Sequence, residues 1–132
     1  MPIRYRIVPE HELVLVHGSG NLRPEDFLES MKSLYSEPDF EPGLRQLCDL
    51  REVRQLEGGY ESAQDLIARF SAWTPLPAGG RVALVARERH VYGLIRMFEI
   101  LADPLPPDVR TFEDLDAARR WLDLPEDAPA GV

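Results

Sequence analysis

Apolar and polar residues alternate along Ile3–Val8 (IRYRIV), the two-residue period of a strand with one buried face. Four apolar residues, Leu13–Val16, follow after the polar break Pro9-Glu10-His11-Glu12, so the two runs predict an antiparallel hairpin. The period then changes. Behind Pro24, the residues Phe27, Leu28, Met31, Leu34 and Tyr35 recur at helical spacing, and Glu25 and Asp26 suit the positive end of a helix. Glu37-Pro38 ends that helix, and Gln46–Leu50 (QLCDL) predicts a short strand.

The spacing of Tyr60, Ala63, Ile67 and Phe70, with Leu66 and Trp73 beside them, predicts a second helix from about Tyr60 to Trp73. Pro75, Pro77, Gly79 and Gly80 stop it. Arg81–Ala86 (RVALVA) has the continuous apolar character of a central strand covered on both faces. A third helix, Val91–Ala102, carries a core stripe of Val91, Leu94, Ile95, Phe98 and Leu101. DPLPPD is a loop, Val109–Phe112 a last strand, and Asp114 the cap of a final helix that turns Leu115, Ala118, Trp121 and Leu122 inward.

Strands separated by helices imply right-handed crossovers and parallel neighbours. The expected fold is therefore α/β: a mixed five-stranded sheet, antiparallel in its first hairpin and otherwise mainly parallel, packed with four helices. Residues 1–124 suit a single domain and 125–132 (PEDAPAGV) a flexible C-terminal tail.

A net charge of −8 works against nucleic acid and anionic membrane surfaces, which need positive patches. No apolar run approaches the ~20 residues of a membrane-spanning helix. The start, MPIRYRIVPEHE, places charges where a secretory signal needs its apolar core. The one cysteine, Cys48, allows no internal disulfide. Together these features lead us to expect a cytoplasmic protein.

Candidate chemistry is sparse. Gly18-Ser19-Gly20 between a strand and a helix matches the start of a dinucleotide fingerprint, but Arg23 stands where the third glycine belongs. Pro24 removes a backbone donor from the following helix, and no Walker loop or G-x-S-x-G elbow exists. We read the glycines as a structural turn. The histidines His11, His17 and His90 form no metal-binding spacing, and Cys48 reads as a small core residue. No catalytic, cofactor or metal set is expected.

Two places remain of interest. Asp49, read as closing the third strand, and Glu57-Gly58-Gly59-Tyr60, before the second helix, lie at the carboxyl edge of the sheet, where ligands gather in open α/β folds. The plainer reading of Asp49 is a carboxylate capping the next turn. On the third helix, Tyr92, Arg96, Met97 and Ile100 fall outside the core stripe, and Gly93 lets another group approach closely. Either this helix is tightly packed, or it offers a strip to a partner subunit or an apolar ligand.

The segment QLCDLREVRQLEGGYESAQDL resembles the strand, loop and second helix of the STAS family, which includes sporulation anti-anti-sigma factors. VYGLIRMFEIL and TFEDLDAARRWL are more similar to SpoIIAA-like bacterial proteins described as STAS/CRAL-TRIO-like. The resemblance runs from Ile3 to Leu122 and implies a SpoIIAA-like fold. Anti-anti-sigma factors carry a phosphorylated serine before the second helix; here the matching Glu57-Gly58-Gly59-Tyr60 has none at that place, and Ser62 lies further on. The resemblance leads us to expect a non-enzymatic regulatory or protein-interaction module with an unknown protein partner. The alternative, from its CRAL-TRIO side, is a carrier or sensor of a small apolar or lipid-like ligand. A homodimer formed through Tyr92, Arg96 and Met97 is also expected, with Asp49 and Glu57–Tyr60 completing the interaction surface.

Overall fold

The predicted hairpin and parallel strands form one sheet in the computed structural model, which describes residues 2–72, 80–103 and 108–132. In chain order the elements are β1 (Ile3–Val8), β2 (Leu13–Leu22), α1 (Pro24–Tyr35), β3 (Arg45–Leu56) and α2 (Tyr60–Ala72). They continue as β4 (Arg81–Val85), α3 (Arg89–Ala102), β5 (Asp108–Phe112) and α4 (Leu115–Trp121). The expected end of the second helix at Trp73, its stop at Pro75, Pro77 and Gly79, and the centre of the DPLPPD loop lie outside the described residues.

The strands lie side by side in sequence order, β1-β2-β3-β4-β5, with β1 antiparallel to β2 and the remainder parallel. Such an order has a consequence. Each right-handed crossover steps in the same direction, so α1, α2 and α3 all fall on one face of the sheet. α4 follows the last strand and packs on the other face, against β3, β4 and β5.

The two-residue period of the strands divides their side chains between these layers. Val14, Val16, Cys48, Leu50 and Leu84 face the first three helices and pack with Leu34, Val91 and Ile95. Leu13, Leu15, Leu47, Ala83 and Val85 face α4 and pack with Ala118 and Leu122. Asp114 caps α4, its carboxylate accepting the Asp116 N–H at 3.1 Å. At the start of α1 the Arg23 N–H donates to the Asp26 carboxylate at 2.8 Å, while the Asp26 N–H donates to the Arg23 carbonyl at 3.0 Å.

The structure corrects the reading of Gly18-Ser19-Gly20 as a turn. β2 continues through them to Leu22, paired with an equally extended β3: Ser19 lies opposite Glu52, Gly20 opposite Val53 and Leu22 opposite Leu56. Irregularities in the register between His17 and Ser19 and between Gly20 and Asn21 absorb the glycines, and Gly20 has φ +71°. Gly18 has a different reason. A Cβ there would stand 2.9 Å from Leu50 Cδ2 and 3.1 Å from Leu22 Cδ1, both on fully buried side chains.

β3 is likewise longer than the predicted QLCDL segment, because Leu50 and Val53 bury against the extended β2. Asp49 therefore sits inside the strand and does not close it. The residues expected as a tail make specific contacts: the Arg119 guanidinium donates to the carbonyls of Pro125 (3.3 Å), Ala128 (2.9 Å) and Pro129 (3.0 Å), and Ala128 is buried.

Crowding at Gly18 generates a paired prediction. Gly18→Ala should lower stability by about 1–3 kcal/mol, the usual cost of overpacking. Gly59→Ala, whose Cβ would meet nothing within 4 Å, should stay within about 0.5 kcal/mol of the wild type. Urea unfolding midpoints measure both, and equal midpoints would refute the crowding account.

Candidate functional site

α2 is not seated on the sheet as α1 and α3 are. Its main contacts are with α1 and α3, and none of its described side chains is fully buried. Its sequence is amphipathic, so Ala63, Leu66, Ile67 and Phe70 still turn inward. Beneath them lies an apolar cavity of about 170 Å³, partly open to solvent. An engineered apolar protein cavity of roughly 150 Å³ stays dry and binds benzene, which sets the scale.

Every layer of the helical side contributes to the wall. The floor is Val16 of β2, Gln46 and Cys48 of β3, Val82 and Leu84 of β4 and Val109 of β5. Phe27, Met31 and Tyr35 of α1 form one side, and Leu94, Met97 and Phe98 of α3 the other. Leu56, Glu57, Gly58 and Gly59 lie where β3 hands over to α2. Phe70 meets Phe98 edge-to-face, with centroids 6.3 Å apart at 89°, and this contact ties α2 to α3.

Polar atoms inside the cavity are few. Gln46 is only 5 % exposed, and its side-chain amide shares a hydrogen bond with the Tyr35 hydroxyl. Burial pushes the Tyr35 hydroxyl above its ordinary pKa, partly offset by that bond. Burial also pushes the Cys48 thiol up to about 12, with the charge of Asp49 adding to the effect. A thiol so protonated is a poor nucleophile.

The residues singled out in the sequence separate into three groups. Glu57, Gly58, Gly59 and Met97 come together at the cavity. Gly58 adopts φ +107°, and a Cβ there would collide with Ser62 at 2.8 Å, so this entry to α2 is built for glycine. Tyr60 follows on the surface, 55 % exposed. On α3, Tyr92 packs partly buried against the main core, which places it inside the packed set from which the sequence pattern had left it out. Arg96 pairs with Glu99 of its own helix, whose carboxylate also accepts the Thr111 N–H.

Asp49 belongs elsewhere. Period two turns it, like Leu47, toward the α4 face, away from the cavity. There its carboxylate accepts the Arg51 backbone N–H at 3.1 Å and two guanidinium N–H groups at 2.9 Å each. Burial alone would raise its pKa, but the bonds and charge of Arg51 outweigh that and hold the carboxyl below its ordinary range. His17 and Glu52 adjoin it, 3.5 Å apart. The most informative residues that sequence reasoning missed are Gln46, Phe27 and Met31. Their helical or strand period marked them as core, and no pattern distinguishes a core that is filled from one that is not.

Among the described residues no cluster of three His, Cys, Asp or Glu could hold a metal ion, and no helix is long and apolar enough to cross a membrane. The sequence profile of the SpoIIAA-like family matches residues 13–123, and the chain belongs to that family. Its domain is thus of STAS type. A crystal structure of a protein of the DUF3478 family from Shewanella loihica PV-4, described as having a SpoIIAA-like fold, is similar in shape, with a TM-score of 0.56. The two share 19% identity over 91% of this chain and 93% of that one, a likeness of fold alone. No curated protein matches the chain.

The Cys48 environment yields a direct test. At about pH 8 the folded protein should not react with a water-soluble disulfide reagent, whereas protein unfolded in urea should release one equivalent per chain. The stability gained from keeping this thiol neutral is complete below its ordinary value of 9.0 and is lost as pH rises toward about 12. Rapid modification of the native protein would show that Cys48 is not buried.

Proposed function

We propose that this STAS-type domain binds a small apolar molecule and acts as its carrier or sensor. The observation that supports the reading is the cavity under α2, lined by three helices and four strands with almost no polar atoms. A cavity of this kind lacks van der Waals partners on its lining, so an apolar occupant restores contact energy without displacing well-bound water. The burial of the Cys48 thiol and the mutual pairing of Asp49 and Arg51 fit a binding role better than a catalytic one.

A second reading, contact with another protein, draws on surface residues flanking the same region. Ile100 of α3 is 60 % exposed and Tyr60 of α2 is 55 % exposed, both large apolar side chains. The two readings join naturally in a sensor whose occupancy alters the surface near α2. Arg96, which a two-fold partner would have to supply with a carboxylate, already has Glu99.

Binding is measured with a neutral solvatochromic dye such as Nile red. The wild type should bind it saturably, and Ala63→Phe, which fills the cavity from α2, should weaken binding at least about tenfold, or ~1.4 kcal/mol, without lowering the melting temperature. No saturable binding by folded wild-type protein would end the carrier reading. For self-association, light scattering should give a dimeric mass that Ile100→Glu reduces to a monomer; a monomeric wild type would exclude a homodimer.

A further inference from the structure

Resting on that binding reading, we propose that the cavity selects an uncharged apolar molecule bearing one hydroxyl or carbonyl group, and rejects carboxylates such as fatty-acid anions. Among the described side chains that line the cavity, Glu57 is the one that carries a charge, and none is Lys, Arg or His. Burying a carboxylate without a cationic partner is costly, because neither hydrogen bonds nor an opposite charge replace its hydration. Glu57 adds repulsion at the mouth.

Two features that could have offset this do not. The positive end of the α2 dipole opens at the mouth, beside Gly58 and Gly59, but Glu57, just before the helix, and Glu61, in its first turn, place carboxylates there already. Three arginines on or beside the flanking helices are paired already, Arg23 with Asp26, Arg69 with Asp65, and Arg96 with Glu99, and the His90 ring on α3 contacts the Leu56 carbonyl at 3.3 Å. A head group arriving as an anion meets a net acidic rim on a chain of charge −8.

A neutral polar group fares differently. Gln46 sits on the cavity floor, 5 % exposed. Its amide has two N–H donors and a carbonyl with two lone pairs, more capacity than a bond to the Tyr35 hydroxyl uses. One hydroxyl or carbonyl on the ligand satisfies that capacity and fixes the ligand's orientation. The enclosed volume accommodates about six to ten non-hydrogen atoms, by comparison with benzene in a cavity of similar size, and any longer chain leaves through the open side.

Competition against Nile red, with full-length protein at about pH 8, tests the idea. Decanol should displace the dye at a concentration at least about tenfold lower than decanoate, a margin of ~1.4 kcal/mol. Glu57→Lys should strengthen decanoate several-fold and leave decanol unchanged, and Gln46→Leu should weaken decanol while leaving dye binding in place. Decanoate competing as well as decanol, or Glu57→Lys having no effect on decanoate, would overturn the charge selection while the binding reading stood. Failure of decanol to displace a dye that does bind would also overturn it. Failure of the dye itself to bind would remove the binding reading beneath it.

Discussion

The parallel pairing of β2 with β3 is the constraint on which the rest of the structure depends. Most of this sheet is short: β4 and β5 have five residues each. β3 has twelve and β2 ten, and their ladder runs on together well past the point where Asp49 faces Val85. At roughly 3.3 Å per residue, the stretch from Asp49 to Leu56 carries the chain about 20 Å beyond the carboxyl end of β4. α2 must begin there, and the Glu57 N–H donating to the Leu22 carbonyl at 2.9 Å holds the departure point. A helix launched from so far out meets α1 and α3 more than it meets the sheet. The space under it follows from that geometry.

The energetics of the two helix types differ accordingly. α3 buries Val91, Ile95 and Ala102 directly on the sheet, and Thr111 reaches it twice, through the Ile95 carbonyl and the Glu99 carboxylate. α2 has amphipathic character but only partial burial to draw on, so its hold rests on contacts such as Phe70 against Phe98. Elements with few buried apolar contacts open at lower free energy than the core they cover. The cavity, partly open to solvent, lies under such an element, and α2 is where this fold supplies it.

How much of this was legible in the sequence depended on which periodicities were interrupted. IRYRIV, RVALVA and the α3 stripe are clean patterns, and a mixed sheet with an antiparallel first hairpin and parallel neighbours follows from them, whereas the order of its strands, which crossover handedness leaves open, does not. The outer halves of β2 and β3 were illegible for opposite reasons. In HGSGNL the glycines imitate a turn, although Gly18 is there because Leu50 and Leu22 leave no room for a Cβ. In REVRQL the charged residues conceal Val53 and Leu56, which become apolar neighbours only once the bulged register is known. Residues at the site were half visible: Glu57-Gly58-Gly59 and Met97 stood out by type, whereas Gln46, Phe27 and Met31 looked like ordinary core.

The two faces of the sheet show how the same strands divide their work. Toward α4, beyond Leu15 and Leu47, the exposed end of the face carries Arg4, His17, Asp49, Arg51 and Glu52. These groups satisfy one another: Arg51 fully engages Asp49, and His17 lies between Arg4 and Glu52 at 3.5 Å from each. Charge neutralised locally in this way solvates a sheet surface that no helix covers, and the depressed pKa of Asp49 is explained by the pairing itself without invoking catalysis. On the opposite face the alternate residues of the same strands, Val16, Gln46, Cys48 and Leu84, are apolar or neutral, and they face a helix held away from them. The cavity therefore arises on the side where packing is left incomplete, while the titratable groups of the other side are paired with one another.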